Sequence, residues 1–519
     1  MPASIDEQDL ASPSATTYPP ATHRRDSQDT IASLKRTFGS ESQTRPSSLA
    51  LPDLSYTNTS TTRSASAEGR RTLRRLSIGG GEEVEDNSLL QGVDGGRGAW
   101  TFVVSAFLLD WGFSYSFGEL LIYLQQHDPW RQSSLASLSA IGSTLLAMQF
   151  FMPPFVIVVL RRYPEWRVAI LSLSVVVSCG SMLASAWATK TVHLIILMGA
   201  LGGISGAVLY CSVLMFLTDW WVERRGMASG IIFSGTSVGG TVFPFLIEAI
   251  LSKHGFKVLC ITWAGMTCLV YGASVWALKP RIPTHKPLQG ERAPWLAVNP
   301  RLLFDPVSAV MAITTFVFSL AFFPVSFLLP TYTLNLTLSS ASSTAVLATL
   351  NAAQAAGSPL IGWASDRSLP WTLSIIALGA AVTCLAAWGK ATTLPLVFLF
   401  AVVYSGFTGI YSTWGAGARD TAGNNPHLST MLLCWFGAVR GIASIIGPYI
   451  GTALYDPKQA EERSSFGRYG FANVIIFVGV LSFVSAAGGP ALAWARTVRE
   501  KKDLSQRARR MSTRVREAE

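Results

Sequence analysis

From residue 99 onward the chain alternates between long apolar runs and short polar breaks. A helix needs about 20 mostly apolar residues to cross a hydrocarbon core about 30 Å thick. Twelve runs reach that length: 99–124, 134–160, 168–188, 193–217, 227–251, 257–278, 306–331, 341–365, 370–389, 394–417, 428–454 and 471–496. The longest break, KPRIPTHKPLQGERAPWLAVNPRLLFD at 279–305, is polar and proline-rich and divides the runs six and six. The pattern predicts an all-α integral membrane protein with twelve transmembrane helices in two six-helix bundles, residues 99–278 and 306–496, joined by a central cytosolic loop at 279–305. Residues 1–98 are rich in Ser, Thr, Pro and charge and nearly devoid of aromatic residues, so they read as a disordered cytosolic tail. Residues 497–519 form a second cytosolic tail, basic enough to contact anionic lipid and able to be helical.

Composition agrees with a lipid-embedded chain. Of 519 residues 49% are hydrophobic and only 14% charged, against about 25% charged in soluble domains. The net charge of +10 does not point to nucleic acid, because eleven of the 41 Lys and Arg lie in the first 98 residues, nine in the last 24, and most others between apolar runs. With the amino terminus inside, twelve Lys and Arg fall in the short inner loops and eight in the outer ones, the bias that orients membrane helices. Both termini are then cytosolic, and the plasma membrane is the expected location. The six cysteines lie inside apolar runs without CxxC spacing, so neither a disulfide framework nor a zinc site is expected. In the amino-terminal tail, RRDS at 24–27 and RRLS at 74–77 are strings that a basophilic kinase could modify.

Charged residues within the runs carry the candidate chemistry, since an ionised group at mid-membrane is costly and faces protein or water. Asp110 and Glu119 share the first run, nine residues and so about half a turn apart around an unbroken helix. Counting from Trp100, Asp110 lies near mid-membrane and Glu119 near the outer surface. Arg440, inside the eleventh run, lies at a depth like that of Asp110. Three readings stay open: a structural pair or cap, an anion-binding residue, or a side chain reaching the interface. A protonated Asp110 could couple transport to a proton gradient. GTSVG at 235–239 has the form of a hydrolase elbow but sits in an apolar run without a strand, so no enzyme is expected. GALGGISG at 199–206 reads as a small-residue packing face. No metal-ligand set appears, and no cofactor is expected.

Sequence details add a resemblance. GWASDR at 362–367, after the eighth run, resembles the G-x-x-x-D-R loop of the major facilitator superfamily; the loop after the second run, LRRYPEWR at 160–167, keeps only its basic residues. YCSVLMFLTDWWVERRGMASGIIFSG at 210–235, VDGGRGAW at 93–100 and GFSYSFG at 112–118 resemble the monocarboxylate transporter family, in particular its fungal branch. The resemblance implies two bundles around a midplane cavity, gating loops carrying Arg224, Arg225, Gly362, Asp366 and Arg367, and a pathway to which Tyr115, Tyr210, Asn351, Tyr411 and Trp414 belong. The family's first-helix lysine is replaced by Glu119, and its eighth-helix Asp and Arg by Gln354 and Ser358. The expected activity is secondary active transport of a small organic solute, a monocarboxylate with proton coupling being the first choice. Export of a larger amphipathic metabolite or drug is the alternative, and a non-transporting nutrient sensor the alternative of a different class. The expected partners are the solute, protons, the lipid bilayer and a kinase acting on the amino-terminal tail.

Overall fold

The computed structural model describes residues 92–111, 116–281, 292, 303–423, 425–456 and 466–518. The kinase-type strings and Tyr115 lie outside them. The regular structure of the described residues is helical. In chain order the helices are α1 (Gly96–Leu109), α2 (Phe117–Gln126), α3 (Leu135–Phe151), α4 (Pro153–Arg162), α5 (Arg167–Ser185), α6 (Thr191–Trp220) and α7 (Arg225–Ala277). The second half follows with α8 (Pro306–Thr337), α9 (Ser340–Thr383), α10 (Leu394–Gly406), α11 (Trp414–Ala422), α12 (Pro426–Leu454), α13 (Ala472–Ala486) and α14 (Gly488–Ala518).

Among the described residues eight helices are long and apolar enough to cross a membrane, or nine when α3 and α4, bent by 44°, count as one. That bend falls where Pro153 opens α4 without an N–H to continue the ladder. Two helical stretches exceed a single crossing: 53 residues in Arg225–Ala277 and 48 in Ala341–Trp388, each over 70 Å at about 1.5 Å per residue. Each turns back once. In α7 the break is Gly255, at φ 78° and ψ 179°, a conformation that a side chain disfavours; in α9 it is Ser368, at φ −154° and ψ 90°. The runs 227–251 and 257–278, read from sequence as separate helices, are thus joined through one residue's turn. Among the described residues each of the twelve runs carries helix, the first divided between α1 and α2 and the tenth interrupted at 407–409. The basic tail continues the last crossing as α14, which ties back to the bundle: Arg496 pairs with Asp420, and Arg499 lies 3.7 Å from Asp305.

The surface is apolar in the way lipid requires. Trp276, Leu269, Trp371 and Val168 are all more than 70% exposed, while buried positions hold many small or hydroxylated residues, among them Ser174, Ser205, Ser319 and Thr315. Lipid offers no hydrophobic drive for helix association, so close packing and hydrogen bonds must hold the helices together. The two halves meet where α7 packs on α9 and where α12 packs on α3, α4 and α6.

Candidate functional site

Where the halves meet, a small central chamber of about 30 Å³ is lined by Asp110, Gln149, Tyr210, Phe233, Thr236, Ser237, Tyr411, Trp414 and Arg440, with Leu146 and Phe150. Asp110 closes the carboxyl end of α1, and its Oδ2 accepts a hydrogen bond from Thr236 Oγ1 of α7 at 2.5 Å. Arg440 comes from the opposite half, on α12, and is 2% exposed. Its Nη1 donates to Ser319 Oγ at 3.3 Å, and its guanidinium carbon sits 5.0 Å from the Phe323 ring centre and 5.1 Å from that of Tyr411. Nη2 is buried and has no hydrogen-bond partner among the described residues.

The two charges therefore share a chamber without forming an ion pair among the described residues. The ring faces stabilise the cation through their quadrupoles, but they do not satisfy its N–H groups. A buried donor without an acceptor is costly, and Nη2 is such a donor.

Behind Tyr411 stands a neutral polar ladder. Ser358 donates to the Gln354 carbonyl at 2.8 Å, so the Tyr411 hydroxyl, 2.8 Å from Ser358 Oγ, donates to it in turn. Ser237 Oγ donates to Gln354 Oε1 at 3.1 Å, and Gln354 Nε2 donates to Thr408 Oγ1 at 3.0 Å. Phe233 packs edge-on against Tyr411 and Trp414, at 5.7 and 6.1 Å, and gives the chamber an aromatic floor. Asn351 is turned away from this ladder and donates to the Gly240 carbonyl at 3.1 Å. Glu119 lies elsewhere on the interface, accepting from Thr344 Oγ1 at 3.2 Å.

At the end that bears the loop arginines the halves are bolted together. Asp366 accepts from the backbone N–H groups of Gly226 and Met227, both at 2.8 Å, and so caps the start of α7 from across the interface. A carboxylate there satisfies N–H groups the helix cannot satisfy itself and complements its dipole. Arg419 lies 3.7 Å from Asp366 and donates to the Glu223 carbonyl. Asp94 accepts from the N–H groups of Val222, Glu223 and Arg224 at 2.9–3.0 Å, holding the turn that leads into α7. Arg225, only 2% exposed, reaches across to Ser429 Oγ at 3.0 Å. Thr218 and Thr430 hydroxyls meet at 2.9 Å, and Arg161 donates to the His427 carbonyl. Arg367 is exposed and stacks on Trp363 at 3.4 Å. Such dense bonding makes this the shut end of the chamber.

Residues 99–448, and again 311–517, match the Major Facilitator Superfamily. The chain belongs to that superfamily. Among its relatives are the fujikurins efflux protein of Gibberella fujikuroi, 26% identical over 76% of this chain and 82% of the relative. The aspyridones efflux protein apdF of Emericella nidulans is 25% identical over 75% of this chain and 78% of the relative. The fold is shared with the human organic anion transporter TETRAN, at a TM-score of 0.57 and 17% identity over 76% of this chain and 99% of that one. It is also shared with the E. coli transporter FucP in its outward conformation, at 0.53 and 15% over 75% and 99%. This major facilitator protein is a membrane transporter.

Of the residues singled out in the sequence, the fold brings Asp110, Tyr210, Tyr411, Trp414 and Arg440 to one chamber, with Gln354 and Ser358 directly behind it. Sequence reading missed Gln149, Thr236, Ser237 and Ser319, whose hydroxyl and amide groups are too common in apolar runs to stand out. It also missed Asp94, although the quoted VDGGRGAW contains it. The cysteines are free, and Cys211 of α6 and Cys434 of α12 are buried neighbours across the interface. A short bifunctional thiol reagent is therefore expected to bridge them and arrest transport, and Cys211→Ser to remove the sensitivity. Mass spectrometry of the bridged peptide checks this.

Proposed function

We propose that this transporter exports an amphipathic organic acid, binding its carboxylate at Arg440 and exchanging it for protons carried by Asp110. The unpartnered Nη2 of Arg440, buried beside aromatic rings in a chamber between the halves, carries the reading. Arginine stays charged under all relevant conditions, so an anion is the natural complement in the loaded state. Aromatic walls at Phe233, Trp414 and Tyr411 suit an apolar body attached to that anion. Two relatives are named as fungal efflux proteins, which supports the outward direction.

Proton exchange rests on Asp110, which is the one carboxylate among the chamber-lining residues. Its partner Thr236 donates a hydrogen bond to the ionised form, and access from either side in turn would let the carboxyl bind a proton on one side and release it on the other. The Asp94, Asp366 and Arg419 contacts form the inner gate in this reading, with both termini cytosolic in the plasma membrane. Residues 99–278 and 306–496 are the bundles that rock, 279–305 is the central cytosolic loop between them, and a kinase acting on the amino-terminal tail is the proposed regulator.

Reconstituted vesicles loaded with labelled carboxylates from acetate to dodecanoate test the proposal. One proton exchanged per solute is expected to support about a tenfold concentration ratio per pH unit, since tenfold corresponds to about 1.4 kcal/mol. Asp110→Asn is expected to abolish this gradient-driven accumulation while exchange of labelled for unlabelled solute persists. Preferential uptake of acetate or lactate with protons moving the same way would instead restore the small-monocarboxylate reading that the sequence motifs suggest.

A further inference from the structure

A second hollow of about 80 Å³, partly open to solvent, lies inside the first six runs rather than between the halves. Its walls come from α1, α3, α5, α6 and the part of α7 beyond Gly255. Asp110, Gln149 and Tyr210 line both this hollow and the central chamber, so the two spaces adjoin through those three side chains. Packed interiors leave few voids larger than a water molecule, and this hollow exceeds that size severalfold. Nothing in the backbone demands it. A Cβ added at Gly206 would meet only the Gln149 side chain, at 3.8 Å, so a larger residue could fill the space and the sequence leaves it open.

We propose that this hollow is a second compartment of the substrate site, receiving the hydroxylated chain of an amphipathic acid whose carboxylate sits on Arg440. The proposal rests on the anion reading above and extends it to the substrate's body. The walls are apolar at Leu145, Met182, Met198 and Trp263 but carry the hydroxyls of Ser181 and Tyr271. Ser181 donates its proton to the Ser178 carbonyl at 3.0 Å and Tyr271 donates to the Trp111 carbonyl at 3.2 Å. Their oxygens therefore remain as acceptors, and a chain bearing O–H donors matches them better than a plain hydrocarbon.

Binding of acetate, octanoate, dodecanoate and 12-hydroxydodecanoate to the purified full-length chain tests this. Affinity is expected to rise up to about fourfold per methylene group buried, with 12-hydroxydodecanoate bound about 2- to 10-fold more tightly than dodecanoate. Gly206→Leu and Thr267→Leu fill the hollow from facing helices; each is expected to flatten the chain-length series while leaving acetate binding within about twofold, since neither residue lines the central chamber. A flat series in the unaltered protein, no binding of the long acids, or a series equally steep in both filled variants would overturn the compartment. Arg440→Gln separates the two proposals. If it leaves every acid's affinity unchanged while Gly206→Leu flattens the series, the compartment stands and the anion reading falls. If it weakens all acids alike while the series is flat in the unaltered protein, the anion reading stands and the compartment falls.

Discussion

Arg440→Gln is expected to weaken binding of every carboxylate solute by about 10- to 150-fold, the range of a charge-assisted hydrogen bond worth about 1.5–3 kcal/mol. The substitution keeps a donor near Ser319 but removes the charge and the buried, unpartnered Nη2 group. Arg440→Lys is expected to recover only part of the loss, because an ammonium cannot at once hold Ser319, lie against Tyr411 and Phe323, and present a second donor. Solute-binding isotherms on purified protein check both. An unaltered affinity in Arg440→Gln would reassign the arginine to a purely structural role, anchoring α12 to Ser319 of α8.

Gly362→Val is expected to stop turnover by a different route, leaving the chamber intact. Gly362 and Gly226 bring α9 and α7 together at the shut end, and a Cβ on Gly362 would come within 2.7 Å of the Gly226 carbonyl carbon and 3.2 Å of Met227 Cα. Backbone cannot move aside as a flexible side chain can. Overpacking of this kind costs about 1–3 kcal/mol, which shifts the balance between the closed and open forms of this end by roughly 5- to 150-fold. Labelling of Cys211 and Cys434, both buried at the interface, by a small maleimide is expected to accelerate accordingly. Asp366→Asn conserves volume and tests the electrostatic share: an amide oxygen still accepts from Gly226 or Met227, but the charge facing the α7 dipole and Arg419 is lost. A smaller acceleration is expected, about 2- to 5-fold, in keeping with 0.3–1 kcal/mol for a charge at a helix end. Labelling rates unchanged in both variants would show that this contact does not control opening.

How much was legible beforehand differs from residue to residue. Asp110 and Arg440 stood out because an ionised side chain within an apolar run is rare and demands a reason. Tyr411, Trp414 and Tyr210 were reachable only by placing their helices beside a cavity through the family resemblance. Thr236 and Ser237 were hidden, since a hydroxyl in a membrane helix more often bonds its own backbone, as Thr241 does to the Ser237 carbonyl at 2.9 Å. The possible pairing of Asp110 with Arg440 shows the limit most clearly. Depth along a helix follows from counting residues, but whether two side chains at one depth point at each other depends on helix rotation and on the partners nearer by. Here Thr236 takes the carboxylate, and Ser319 with three aromatic rings takes the guanidinium.

The sequence by itself determined the all-helical membrane class, which runs are apolar enough to be candidate crossings, and which few charges sit among them. Hydrocarbon thickness and the need to satisfy every backbone hydrogen bond within lipid act on each segment separately, so they can be read one run at a time. Only the tertiary structure decided that single residues, Gly255 and Ser368, make the turns between two pairs of successive helices, that Asp366 caps a helix more than 130 residues earlier in the chain, and that Arg440 keeps an unpartnered donor beside a shared chamber. Those outcomes depend on close contacts between segments far apart in sequence, where glycines, hydroxyls and rotations of a few tens of degrees choose the partner. Hydropathy, which is nearly alike for all twelve runs, carries no record of that choice.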